Sequence, residues 1–248
     1  MIASFQLVRF RRLVPVPPRR LPGRVPGLRC WQAFNVGGDF AHFREHPTRW
    51  ALYPRLRPDF RRWAFFAVWD DEAAFDSFRA RLAAPDSPLP TATESLHVGM
   101  RATRIQGSWP GLAMLREPTS ATGAVLASAP VAYLVRLDLS LRGTLTFWGS
   151  AAPGILHHLP GGDDLLLGVP LVDRPYTQPA TFGLWRTSAA ATSFAYRHTG
   201  HRDAVDRVQR AMPDLRSHYS SGSFGPYVCE GTWHRRNPLK ELLVSPVT

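Results

Sequence analysis

The order of elements in the sequence predicts an α+β fold made of two similar halves. An apolar segment ending in Trp runs straight into a helix, the same pair returns in the second half, and each half closes on a Gly-x-Trp tripeptide.

The first pair is the clearest. Arg61 to Trp69 is a short aromatic and β-branched run, the pattern of a well-buried strand. Asp70 to Leu82 follows at once; Asp70 or Asp71 can cap the helix N-terminus, and Phe75, Phe78 and Leu82 recur at three- and four-residue spacing on one face. In the second half Ala180 to Trp185 is the strand and Arg186 to Tyr196 the helix, and Phe194 stands nine residues after Trp185 as Phe78 stands nine after Trp69. A further helix is expected over Asp203 to Met212, with His198 and His201 at or just before its start.

Each half opens on a strand candidate, Ser4 to Phe10 and Val131 to Leu139. A helix candidate and a second strand follow, Gly27 to Phe34 and Asp164 to Val172. Each half closes on a strand ending in Trp, Ile105 to Trp109 and Cys229 to Trp233. The order in each half is βαββαβ, the ferredoxin-like pattern, and two such units pair their sheets in the manner of a dimeric α/β barrel, here within one chain. The expected boundaries are 1–110 for the first unit, 111–130 for a linker rich in Pro, Gly, Ala, Ser and Thr that runs over the surface, and 131–240 for the second unit. The loop from Asn35 to Pro58 is long for a connection inside a compact unit, and loops of that kind often cover a site.

Composition narrows the class. With 44% hydrophobic residues over 248, the chain is long enough to bury a sizeable core. The net charge of +11 rests on arginine, Lys240 being the only lysine, and no nucleic-acid-binding motif accompanies it, so no nucleic-acid partner is expected. A basic surface also suits anionic lipid, so peripheral membrane contact is allowed. No apolar run reaches the length of a signal-peptide core or of the ~18 residues of a membrane span, and a cytoplasmic location is expected. Cys30 and Cys229 fit no disulfide or zinc spacing and read as reduced thiols. Eight Trp and fourteen Phe would line an apolar space between two sheets, where a flat hydrophobic ligand could lie.

The nine histidines differ in interest. His42 and His46 stand at i, i+4, but Pro47 and the preceding glycines argue against the helix that metal binding would need. His157 and His158 read as helix-end residues, and His97, His218 and His234 have no motif around them. His198 or His201, projecting from a helix into the space between sheets, could hold a haem iron on one axial side.

The run Phe194-Ala-Tyr-Arg-His-Thr-Gly-His-Arg-Asp-Ala-Val205, together with Gly231-Thr-Trp-His-Arg-Arg-Asn-Pro-Leu239, resembles the spheroidene monooxygenase family of carotenoid-modifying enzymes. The first half agrees more loosely, through Tyr53-Pro-Arg55 and the strand ending in Trp69. The resemblance implies an oxygenase dependent on haem b that puts a carbonyl oxygen into an acyclic carotenoid, a hydrophobic polyene. It would use dioxygen and electrons from a partner such as reduced ferredoxin. It also implies that His201, a few residues after the Phe-Ala-Tyr segment, is the axial ligand of the iron.

Arg197 and Arg202 are candidates for pairing with a haem propionate, since arginine meets carboxylates bidentately. His218 and Tyr219 are candidate polar groups on the catalytic side. One departure stands out: the family has a pair of acidic residues where this chain has Leu215 to Ser221. Two other readings of the residues follow from it. One is a haem-dependent tailoring enzyme, a dehydratase or bond-forming catalyst using iron as a Lewis acid on a small nitrogenous substrate; the other is a non-catalytic haem-binding module. A homo-oligomer is compatible with either.

Overall fold

The computed structural model describes residues 1–14, 25–37, 59–83, 92–116, 127–152, 163–173, 177–214, 218–240 and 242–243. Their strands are β1 Ile2–Phe10, β2 Leu28–Val36, β3 Arg62–Trp69, β4 Ala92–Gln106, β5 Val131–Leu137, β6 Leu165–Val172, β7 Pro179–Trp185 and β8 Tyr219–Gly231. The helices are α1 Glu72–Ala83, the single turn α2 Pro110–Ala113, α3 Leu141–Thr146 continued by a π turn Phe147–Ala151, α4 Ser188–Arg197 and α5 Thr199–Ala211. The α+β class read from the sequence is the class observed.

Every strand pairing is antiparallel, and the sheet closes into a barrel in the order β1-β3-β2-β6-β7-β5-β8-β4. The quartets β4-β1-β3-β2 and β8-β5-β7-β6 therefore follow one internal order. Their registers also agree. Trp69 lies opposite Ile2 and Leu28, Trp185 opposite Val131 and Leu165, and a bulge follows each time, between Leu28 and Cys30 and between Leu165 and Leu167. The quartets meet along β4 and β8, which pair from Leu96 opposite Gly231 to Gln106 opposite Ser221. The other seam is short, Asn35 opposite Val172 and Val36 opposite Leu171.

Alternation along the strands sends one set of side chains inward. Ala3, Phe5 and Leu7 of β1, Ala64, Phe66 and Val68 of β3, and Ala180, Phe182 and Leu184 of β7 belong to one buried cluster, in which the rings of Phe5 and Phe182 stack at 3.6 Å. An eight-stranded barrel has an interior just wide enough for side chains. The space between the sheets, which the composition suggested for a flat ligand, is thus packed with core side chains instead.

The closing tryptophans are placed differently from the sequence expectation. β4 ends at Gln106 and β8 at Gly231, so Trp109 and Trp233 lie beyond their strands, and both turn back into the barrel core. Gly107 and Gly231 adopt φ of +91° and +80°, a region costly for any residue with a Cβ. A Cβ at Gly107 would collide with the Tyr219 carbonyl, and one at Gly231 with the Ser95 carbonyl. The guanidinium of Arg136 lies 5.4 Å from the Trp109 ring and that of Arg9 5.2 Å from the Trp233 ring.

Helices cover the outside. Asp71 caps α1, its Oδ1 accepting from Ala74 N–H at 2.8 Å, and Thr187 caps α4, its Oγ1 accepting from Ala190 N–H at 3.1 Å. The Trp69 and Phe78 rings meet at 4.9 Å and the Trp185 and Phe194 rings at 5.3 Å, so the nine-residue spacing marks a packing contact in both places. The stretch expected to run over the surface after Trp109 begins instead as α2, which buries Gly111 and Leu112, and Leu115 is buried just after it. Residues 117–126 lie outside the described residues, as do the helix expected between β1 and β2, most of the loop from Asn35 to Pro58 and the pairs His42/His46 and His157/His158. Cys30 and Cys229 are free, half-buried thiols; burial raises both, Cys229 to about 12. Among the described residues no helix is long and apolar enough to cross a membrane.

Candidate functional site

The two quartets differ most where helix meets outer sheet face. Under α1 this space is filled: Phe65, Trp69 and Phe75 are fully buried, and Trp31 stacks on Phe65 at 4.8 Å and meets Phe78 edge-on at 5.9 Å. The shared register gives the matching positions under α4. Trp31 lies opposite Ala67, two residues before Trp69, and Gly168 lies opposite Gly183, two residues before Trp185. By the same counting from each Trp, Phe65 matches Thr181, Phe75 matches Ala191 and Leu82 matches His198. Trp to Gly, Phe to Thr, Phe to Ala and Leu to His all reduce or polarise the filling. The seam between α4 and the outer face of β6, β7 and β5 is therefore packed with smaller and more polar side chains than the one under α1.

Its apolar wall consists of Val131, Leu165 and Trp185 from the strands and Ala191 and Phe194 from α4, with Phe147 and Trp148 of the π turn packed against them. Toward β8 and β4 the same outer face turns polar. Tyr133 lies opposite Ser223 and Val135 opposite Ser221 on β8, and Ser223 in turn lies opposite Arg104 on β4. Thr103 and Ser223 share a hydroxyl hydrogen bond at 2.9 Å. Tyr133 hydrogen-bonds Thr192 of α4 and Tyr219 hydrogen-bonds Ser221. Burial raises both phenols, and the neighbouring Arg104 draws them back toward ionisation.

His201 stands in the first turn of α5, because the helix starts at Thr199, four residues before the expected Asp203. It is half-buried with its ring 4.9 Å from that of Phe194, so it lies beside the α4 seam outside the barrel, not in a space between sheets. Its Nδ1 lies 3.1 Å from the Ala195 carbonyl oxygen. A carbonyl only accepts, so Nδ1 carries the proton in this bond and Nε2 of the neutral ring is left with its lone pair. Burial is the largest influence on this imidazole and pulls its pKa below the ordinary value; the Ala195 bond opposes this and His198 reinforces it. A neutral histidine whose other nitrogen is fixed by a backbone carbonyl is the arrangement found at metal-ligating histidines. Among the described residues no three His, Cys, Asp or Glu side chains gather.

The remaining sequence candidates are distributed around this centre. Arg197 ends α4 and Arg202 follows His201, both exposed at the helix junction. Tyr219 lies half-buried in the polar part of this outer face. His218 is exposed and its Nε2 pairs with Asp214 at 3.0 Å. Residues 215–217 of the departing segment lie outside the described residues. Sequence reasoning missed Tyr133, Arg104, Gly168 and Thr181. The signal available was the comparison of the two Trp-anchored segments position by position, which shows Phe65 replaced by Thr181 and Phe75 by Ala191.

No family model matches the chain. Two curated relatives are similar to it. The spheroidene monooxygenase of Rubrivivax gelatinosus is 31% identical over 185 residues, covering 73% of this chain and 66% of the relative, so the match spans just under two thirds of that protein. The spheroidene monooxygenase of Rhodobacter capsulatus is 24% identical over 197 residues, covering 77% of this chain and 78% of the relative. Among solved structures, a candidate monooxygenase from Fusobacterium nucleatum overlaps 93% of this chain and 94% of its own at 10% identity and a TM-score of 0.38, a likeness too faint to carry a conclusion. The fold and site define an α+β antiparallel barrel with a fixed histidine beside the α4 seam on its outer face. Over these spans the chain is similar in sequence to the spheroidene monooxygenases.

Proposed function

We propose that the chain is a haem-dependent monooxygenase that oxygenates a hydrophobic polyene such as an acyclic carotenoid, using dioxygen and electrons from a reduced donor such as ferredoxin. The relatives' names support the reaction class and the substrate type. The observation that carries the haem reading is His201: a half-buried imidazole, neutral by burial, with Nδ1 engaged by Ala195 and Nε2 left as a donor beside the apolar seam under α4. The residues present fit a haem b that His201 would hold through Nε2. Bound there, the iron would supply activation of dioxygen.

The chain's own residues would do the rest. Phe194, Phe147 and Trp148, each half-buried, would give flat apolar surface to the macrocycle and keep water from it. Arg197 and Arg202, exposed beside His201, are available to a propionate, and Tyr219 is the polar group nearest to a catalytic role. His218 is given over to its pairing with Asp214. We read the two quartets as ferredoxin-like repeats, 1–110 and 131–240 joined by 111–130, with chemistry confined to the second. A peripheral contact with a membrane carrying the polyene belongs to the same reading.

The test is an absorption spectrum of purified protein reconstituted with haem. A Soret band that changes in His201→Ala, followed by turnover of an acyclic carotenoid with dioxygen and reduced ferredoxin, is the expected result. No Soret band in the wild type removes the haem reading, and an unchanged band in His201→Ala moves the ligand elsewhere.

A further inference from the structure

Helix α3 and the π turn that continues it are reversed for a surface helix. The usual arrangement buries the apolar stripe and turns the polar residues to water. Here Gly143 and Thr144 are buried, while Leu141 is 76% exposed and Leu145 68%, one turn apart on the opposite side. Arg142 stands exposed beside them. Gly149, four residues after Leu145, is also exposed, and a Cβ there would touch nothing.

This orientation is fixed by its surroundings. Ser140 caps the helix, its Oγ accepting from Gly143 N–H at 3.2 Å, and the buried Leu139, Ala151 and Ala152 anchor the segment at both ends. On the inner side α3 lies so close to the end of α5 that a Cβ at Gly143 would collide with Met212 Sδ. Rolling α3 to bury its leucines would drive them into that contact. The two side chains stay in water unless something outside the chain covers them.

The same face is cationic. Residues 139–152 contain no carboxylate. From Ala204 to Met212, the part of α5 that packs with Leu139 and Ala151, Arg207 and Arg210 are exposed and Asp206 is the single acid. Among the described residues Arg142, Arg207 and Arg210 pair with no carboxylate, whereas Arg9, Arg29, Arg62, Arg79 and Arg101 of the first quartet all do.

These features select the cover. A second copy meeting this face about a two-fold axis would bring Arg142 toward its own image, with no acid in the segment to pair either one. Two leucines also fall far short of the ~800 Å² per partner that a stable protein interface buries. A bilayer requires no such complementary area. Leucine tips enter the boundary between headgroups and acyl chains, and arginines remain at the level of the phosphates.

We propose that α3 and its π turn are a membrane-docking element, with Leu141 and Leu145 inserted into an anionic bilayer and Arg142, Arg207 and Arg210 meeting its phosphates. It deepens the functional reading above and rests on it only for what the protein would take from the bilayer. Docking itself needs neither haem nor a polyene.

Co-sedimentation of the full chain with phosphatidylcholine vesicles, plain or carrying about one third phosphatidylglycerol, tests this. The wild type should bind the anionic vesicles and leave the neutral ones largely unbound. Leu141→Ser/Leu145→Ser should weaken binding about a hundredfold, and Arg142→Gln about fivefold, with unchanged near-UV circular dichroism. Gly149→Leu adds an apolar side chain in open space on the same face and should tighten binding several-fold. Absent binding, equal binding to both vesicles, a double serine variant that binds like the wild type, or no gain from Gly149→Leu overturns the proposal. So does a wild-type dimer in light scattering that the double serine variant converts to monomer, since the leucines would then be covered by a second copy. Because vesicle binding is read without haem or carotenoid, failure here leaves the oxygenase reading standing, and loss of the haem reading leaves the docking element standing.

Discussion

His201 and Ala195 are tied together across the break between α4 and α5, the imidazole Nδ1 donating to the carbonyl at 3.1 Å. The bond fixes both the ring's orientation and its tautomer. Burial disfavours the charged form, so the folded protein holds this histidine neutral at pH values where a free imidazole is already taking up a proton. Nitrogen-15 NMR of selectively labelled histidine should show His201 in the Nδ1–H tautomer at neutral pH, with a titration midpoint below ~6.5. A protonated ring at pH 7 would contradict the assignment.

A second histidine makes stability depend on pH. Burial lowers His97 to about 4. The unfolded chain binds a proton at this residue near pH 6.5, while the folded chain resists until about 4. The two states are equally neutral above pH 6.5; stability then falls as pH drops from 6.5 to 4, by up to about 3 kcal/mol from this group. Urea unfolding at pH 7, 5.5 and 4.5 should show wild-type protein losing this much more than a His97→Gln variant. Parallel pH dependence of the two proteins would sink the claim.

The repeated Trp–Phe contact predicts unequal costs at matched positions. Phe78 is buried beneath α1, and Phe78→Ala should cost about 3–5 kcal/mol. Phe194, at the matching place on α4, is only half-buried, so Phe194→Ala should cost about 1–2 kcal/mol. Chemical denaturation at pH 7.5 compares the two, and equal losses would mean that the second helix packs as tightly as the first.

Rebuilding the first half's aromatic packing in the second is the sharpest test of the α4 seam as the ligand site. Thr181→Phe restores the residue found at Phe65 and should leave the midpoint of unfolding unchanged or higher while abolishing haem uptake. A variant that folds normally and still takes up haem with wild-type affinity would place the ligand elsewhere.

The turns before the barrel tryptophans should tolerate no side chain. At φ of +91° and +80°, Gly107→Ala and Gly231→Ala each meet a carbonyl oxygen of the neighbouring strand and should cost more than about 1 kcal/mol, read as a lowered urea midpoint. Wild-type stability in either variant would mean that the backbone there can reach an unstrained conformation.

Much of this architecture was legible because its signals are local. A strand ending at Trp69 or Trp185 declares itself by unbroken apolar, aromatic runs, and the capping residues Asp71 and Thr187 mark where each helix begins. What escaped was nonlocal. Trp109 and Trp233 look like strand residues until the positive φ of Gly107 and Gly231 turns them into the barrel. The polar part of the outer face is drawn from β4, β5 and β8, segments far apart in the chain, and only cross-strand register sets Arg104 beside Ser223 and Tyr133. His201 was found by resemblance, while its tautomer needed the geometry of Ala195.

The unequal seams have a mechanical consequence. One junction, β4 with β8, is laced from Leu96 to Gln106; the other, among the described residues, is held at Asn35 and Val36 and by the Gly37 amide on the Pro170 carbonyl. Cooperative opening begins where the fewest backbone bonds must break together. Native-state hydrogen exchange should therefore release the amides of Asn35 to Gly37 earliest among the barrel strands, and the cylinder would part as a cleft sheet hinged along β4 and β8, with both quartets still folded on either side.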